Sequence, residues 1–201
     1  MPTIAVNAYR VFFCALAATC LLTACGQQSP VPKPAAQTET APVPDDVQAA
    51  AEALLGTGAE VLVFGDLART GKQQFLAVNR MLQPPSGAVP GTFVTRAIIA
   101  EDNHGKWAEI LRCDEHLKNT RGYLGQTPAG PILGWRLEYG QDPEKGLQLH
   151  FTPLENSASS QVMPISVRWN PAAKRYQALD RDDKHFLPER PPIEDATSSL
   201  R

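Results

Sequence analysis

The spacing of hydrophobic and polar positions changes along the chain. Val11 to Ala24 is a short, nearly unbroken apolar run behind Arg10. From Gly26 to Pro44 bulky apolar residues almost vanish, and Pro30, Pro32, Pro34, Pro42 and Pro44 punctuate a stretch of Gln, Ser, Thr and Ala. Val47, Ala50, Ala51, Leu54 and Leu55 then recur at helical spacing, and Gly56 or Gly58 can end the helix. Asp45 and Asp46 suit its start, as caps for the first amides and as charges at the positive end. Beyond it the period falls to two. Glu60–Leu67 and Gln74–Met81 read as strands joined by the turn from Asp66 to Lys72. Phe93–Glu101 and Lys106–Cys113 flank Asp102-Asn103-His104-Gly105, a hairpin signal. Trp135, Leu137 and Tyr139 alternate with polar residues, as do Leu147, Leu149 and Phe151, with a turn at Asp142–Gly146 between them. Ile165, Val167 and Trp169 alternate in the same way, and Asn170-Pro171 turns the chain into Lys174–Leu179.

Four hairpins in succession, each apolar on one face, predict an α+β, mainly antiparallel β fold. The N-terminal helix packs on a meander of β-hairpins, as a twisted sheet or a partly closed barrel. The predicted domain runs over 45–187. The segment 25–44 cannot bury enough apolar surface to offset its ordering entropy and reads as a disordered tether. Pro188, Pro191, Pro192, Ser198 and Ser199 give 188–201 the same character.

Charge narrows the functional classes. The formal net charge is -2, and Lys and Arg are interleaved with acids, which argues against a nucleic-acid partner held by a basic track. Four cysteines among 201 residues are too few for a disulfide scaffold. No apolar run reaches the roughly 18 residues of an ordinary membrane span.

The N-terminus carries the most specific signal. A single positive charge, a short apolar region and then Leu22-Thr23-Ala24-Cys25-Gly26 form a secretory signal that resembles the bacterial lipoprotein lipobox. The resemblance implies removal of 1–24 and a thioether-linked diacylglyceryl group on Cys25, with a further acyl chain on its freed amine in many diderm bacteria. Two or more chains anchor a protein stably. Gly26 is not the aspartate that favours inner-membrane retention in the enterobacterial pattern, so the resemblance implies an outer-membrane location facing periplasm or surface.

Inside the domain, Phe64-Gly65-Asp66-Leu67 followed by Gly71-Lys72 resembles the FG-GAP or VCBS-type β-hairpin of surface proteins, whose aspartate-rich loop binds calcium. Here Ala68, Thr70 and Gln74 replace the expected oxygen ligands, so a competent calcium site is not expected. Cys113 is the thiol left once Cys14, Cys20 and Cys25 are assigned to the signal and anchor. It shares a predicted strand face with Trp107, Glu109 and Leu111, as a small buried hydrophobe. Glu101, Asp102 and His104 lie at one end of a hairpin and Asp114, Glu115 and His116 at the other, some 30 Å apart at about 3.3 Å per residue. No metal or cofactor is expected. There is no nucleophile elbow, phosphate loop or His-Glu-x-x-His helix.

The sequence therefore predicts a lipid-anchored bacterial envelope protein of non-enzymatic, binding or structural type, held to the membrane through Cys25, with an envelope protein or glycan as partner. Two alternatives stand beside it. One is a periplasmic hydrolase whose Glu101, His104, Glu115 or His116 converge in three dimensions. The other is a small-ligand or carbohydrate-binding module whose Trp135, Tyr139 and Trp169 form an exposed aromatic cleft.

Overall fold

A computed structural model describes residues 43–84, 91–125, 131–155 and 163–191. The expected signal, Cys25 and nearly all of the expected tether lie outside the described residues. The elements are α1 (Asp45–Leu55), β1 (Ala59–Gly65), β2 (Gln74–Arg80), β3 (Thr92–Asn103), β4 (Lys106–Cys113), β5 (Leu117–Asn119), β6 (Ile132–Asp142), β7 (Gly146–Glu155), β8 (Ile165–Asn170) and β9 (Arg175–Ala178). All ladders are antiparallel. The four predicted hairpins form, as β1–β2, β3–β4, β6–β7 and β8–β9, and the fold is α+β and mainly antiparallel, with an unclosed sheet.

The order departs from a simple meander. It runs β1-β2-β3-β6-β7-β8-β9, with β4 and β5 branching from β3. The 12-residue β3 is long enough to hold two partners end to end on one edge. Thr92–Val94 pairs with β6, and Ala97–Asn103 pairs with β4. The short strand β5 was not foreseen, because three residues carry too little alternation to register.

Two apolar clusters lie on opposite faces of the β1–β3 region. The larger joins Leu76, Val78, Ile99, Leu111, Cys113, Trp135, Leu137, Leu149, Phe151, Val167 and Tyr176. The smaller sets Val47, Ala51 and Leu55 of α1 against Phe75, Ala77, Ile98 and Ala100. Small Ala51, Ala77 and Ala100 admit the close approach of helix to sheet. Burying each larger aliphatic side chain contributes about 1.5–3 kcal/mol. Asp45 and Asp46 occupy the first turn, where they favour the dipole, but the N-cap is Pro44 and no side chain caps the amides. Gly56, at φ +87°, ends the helix with its N–H on the Glu52 carbonyl, and Arg96 donates to the Leu55 carbonyl.

Two bulges decide which side chains share a face. In β1 the register slips at Leu62, so Leu62 and Val63 both join the larger core while Val61 and Phe64 face the helix cluster. In β4 it slips at Ile110. Trp107 consequently packs on Phe75 in the helix cluster, at 4.8 Å between ring centroids, while Leu111 and Cys113 lie in the larger core. The predicted common face for Trp107, Glu109, Leu111 and Cys113 is therefore corrected: one extra residue reverses the alternation.

The folded body also runs past 187. The Glu189 carboxylate receives both Arg175 Nε (2.5 Å) and Nη2, Asn119 Nδ2 and Gln177 Nε2. Arg190 exchanges backbone hydrogen bonds with Tyr123. Asn119 also donates to the Tyr176 carbonyl. These groups span the gap between β5 and β9, which no ladder closes among the described residues.

Candidate functional site

The open face of β6, β7 and β8 is the strongest candidate surface among the described residues. Alternation places Trp135, Leu137, Leu147, Leu149, Phe151 and Val167 inward, in the core. It turns Arg136, Glu138, Gln148, His150, Thr152, Ser166 and Arg168 to the other side, and none of these is fully buried. Register then aligns three of them across neighbouring strands, with Glu138 opposite His150 and His150 opposite Ser166. His150 Nδ1 and Ser166 Oγ are 2.9 Å apart and hydrogen-bonded. Glu138 is 3.4 Å from Arg136 Nη1.

A shallow depression of about 370 Å³ adjoins this row, lined by Glu138–Pro143, Gln148 and His150. The turn beside it is held by Asp142, whose Oδ1 accepts the amides of Glu144 and Lys145 at 2.8 Å each. Those two amides hold the Asp142 carboxyl below its ordinary pKa. Gly146, at φ +79°, closes the hairpin where an added Cβ would lie 2.5 Å from the Leu67 carbonyl oxygen. The surface is open and rich in hydrogen-bonding groups, suited to recognition. Sequence reasoning missed the Glu138–His150–Ser166 row because each residue reads as an ordinary outward polar position. The missing information is strand register.

The predicted aromatic cleft does not form. Trp135 is fully buried, donates Nε1–H to the Asp114 carbonyl and meets Phe151 edge-on. Its indole is a core plug, as its place among inward-facing positions requires. Trp169 is half-buried against the core and meets Tyr176 across the last hairpin at 5.4 Å. Tyr139 is 40% exposed and lines the depression.

The acid and imidazole groups named from the sequence do not converge. His104, at φ +56°, and Gly105, at φ +81°, form the two-residue turn of β3–β4, and Asp102 Oδ1 accepts the Gly105 amide at 2.7 Å. At the far end of β4, Glu115 is exposed and His116 meets Tyr123 edge-on at 5.0 Å. Glu101 instead accepts from Lys72 Nζ at 2.5 Å and from Gln74 Nε2 at 2.9 Å, and the buried Tyr176 hydroxyl donates to Gln74 Oε1. That chain ties β2, β3 and β9 together, and burial pushes the Tyr176 phenol upward. Nothing in the local sequence joins residues 102 positions apart.

In the loop resembling FG-GAP hairpins, both Asp66 carboxylate oxygens accept amides, from Thr70 at 2.8 Å and Gly71 at 2.9 Å. The aspartate closes its own loop. Among the described residues no three His, Cys, Asp or Glu side chains gather as metal ligands. Cys113 is fully buried, and burial pushes its thiol well above the ordinary value. No family model, curated protein or solved structure matches the chain.

Proposed function

We propose that the protein is a lipid-anchored component of a bacterial cell envelope, non-enzymatic, acting by binding or as a structural element. The observation that carries this reading is the ordered series of Arg10, the apolar run Val11–Ala24 and Leu22-Thr23-Ala24-Cys25. Acylation of Cys25 places the folded body at a membrane surface, on a Pro-rich tether able to span several tens of ångströms at about 3 Å per residue. The dispersal of Glu101, His104, Glu115 and His116 over both ends of the β3–β4 hairpin supports a binding role over hydrolysis. Radiolabelled palmitate incorporated into the wild type, lost in Cys25→Ala and accompanied by globomycin-sensitive processing, tests the anchor. Undiminished labelling of Cys25→Ala refutes it.

A hydrolytic reading has one observation in its favour, the Ser166–His150 hydrogen bond with Glu138 in the same row. The purified mature protein is expected to be inert toward ester, glycoside and peptide substrates. Turnover that disappears in Ser166→Ala decides for the hydrolase.

A further inference from the structure

The chain beyond β9 is fastened to the body by polar groups at a few points. It first turns at Asp180–His185, and the turn is closed by its own groups. The Asp180 amide donates to the His185 carbonyl, and the Asp180 carboxylate accepts the Lys184 amide and meets His185 Nδ1 at 2.8 Å. Phe186 to Arg190 then runs back as a strap between the end of β9 and Tyr123. The Leu187 amide donates to the Ala178 carbonyl, and Arg190 exchanges two backbone hydrogen bonds with Tyr123, at 2.9 and 3.0 Å. Leu187, Pro188 and Arg190 are exposed, and Phe186 is half-buried against the Arg168 guanidinium. Hydrogen bonds and one carboxylate hold the strap far more than apolar burial does. Segments held in this way open before the fold does.

The seat under the strap belongs to the body. Gly122 leaves room for the Arg190 carbonyl oxygen, which an added Cβ would approach to 2.3 Å. Arg175 Nε and Nη2, Asn119 Nδ2 and Gln177 Nε2 converge on the Glu189 carboxylate, whose side chain is 11% exposed. These donors are positioned from below. Gln177 is buried in β9, and Asn119 Oδ1 accepts the Arg121 and Gly122 amides while its Nδ2 also reaches the Tyr176 carbonyl. Pro188 fixes one backbone angle of the strap and brings no amide that the groove must satisfy.

We propose that this groove is a binding site for an extended, glutamate-bearing segment of a partner polypeptide, and that Phe186–Arg190 is its resident, displaceable occupant. The Arg175 fork takes both carboxylate oxygens, and Asn119 and Gln177 add further donors. Tyr123 supplies the main-chain bonds of strand addition. The strap shows the chemistry that the groove accepts: an extended backbone, a proline and then a glutamate. As a tethered ligand it competes at high effective concentration, which makes it an autoinhibitory contact. The self-closed turn at Asp180–His185 is the hinge, because release of the strap leaves its hydrogen bonds intact. The inference deepens and rests on the binding reading, at a surface other than the open face, and does not depend on the lipid anchor.

The test uses the full chain in detergent. In the wild type, the amides of Tyr123, Leu187 and Arg190 are expected to exchange with deuterium together, at least about tenfold faster than the amides of β7. Protection equal to that of β7 overturns the latch without any substitution. Fluorescence anisotropy then follows a fluorescein-labelled peptide Phe-Leu-Pro-Glu-Arg-Pro. It is expected to bind Glu189→Gln about tenfold more tightly than the wild type, whose own strap competes. The same peptide with glutamine in place of glutamate is expected to bind about tenfold more weakly. Adding Gly122→Ala to Glu189→Gln is expected to abolish binding, because the new Cβ occupies the groove. No binding to Glu189→Gln at millimolar concentration, equal affinity of the two peptides, or binding that survives Gly122→Ala overturns the proposal. So does a wild-type dimer that Gly122→Ala dissociates, which would make a second copy's strap the occupant. Turnover lost in Ser166→Ala overturns the binding reading itself, whereas an inert chain that fails these measurements overturns the groove alone.

Discussion

Strands β2 and β7 are both interior to the sheet, yet they meet different surroundings. Five successive residues of β2, Gln74 to Val78, are buried. Leu76 and Val78 face the larger core, while Phe75 and Ala77 face α1. In β7, Leu147, Leu149 and Phe151 are buried, whereas Gln148, His150 and Thr152 remain half-exposed. The difference is the helix. Where α1 covers the outer face, the strand reads as a continuous apolar run, and where no helix covers it, the strand alternates. The doubly covered half thus buries side chains on both faces of its strands, and the partly exposed polar side chains lie on the singly covered half.

The sharpest way to break this contrast is to truncate one aromatic in each half. Phe75→Ala should lose about 3–5 kcal/mol in urea unfolding, because it opens a cavity between helix and sheet. Tyr139→Ala, at the exposed hairpin, should stay within about 0.5 kcal/mol of wild type. Comparable losses would show that the two halves are equally packed.

Glu189→Gln is the next largest. It removes the charge that Arg175, Asn119 and Gln177 hold across the β5–β9 gap and should cost about 1.5–3 kcal/mol. Arg175 above all, with Asn119 and Gln177, lowers the Glu189 carboxyl to about 2. A carboxyl lowered on folding contributes stability above its unfolded value and loses it as pH falls through the folded one. The gap between wild type and Glu189→Gln should therefore be full at pH 6 and shrink between about pH 4.5 and pH 2. A gap that widens on acidification would contradict this.

Gly146→Ala should destabilise by about 1–3 kcal/mol, since its Cβ would press on the Leu67 carbonyl and its φ is left-handed. The effect measures how firmly the β6–β7 hairpin is seated on the β1–β2 turn. A neutral outcome would mean that the hairpin swings free. The smallest effect belongs to the open face. His150→Ala removes a partly exposed hydrogen bond to Ser166 and should cost about 0.5–1.5 kcal/mol in the same unfolding assay. A loss matching Phe75→Ala would make the open face a structural element.

Much of the fold was legible because it is local. The helix from Val47 to Leu55 follows from spacing alone, and the turns at His104-Gly105, Asp142–Gly146 and Asn170 follow from residues that tolerate left-handed backbone or bond their own amides. The candidate surface was only partly legible. Tyr139 was named for its ring and is exposed, whereas Trp135 was named on the same grounds and is buried. A strand residue's type does not say how far its neighbours extend beyond it.

The sequence by itself determined the elements, the four hairpins and the polar character of one face, since these depend on period, turn chemistry and side-chain type over a few residues. The proposed lipobox and tether are readings of contiguous residues that lie almost wholly outside the described part of the structure. Tertiary structure alone decided that β6 returns to β3 beside β4, that bulges at Leu62 and Ile110 reverse two faces, and that Glu138, His150 and Ser166 share a row. These outcomes depend on register and on which segments compete for the same edge, and no local window of the chain contains that competition.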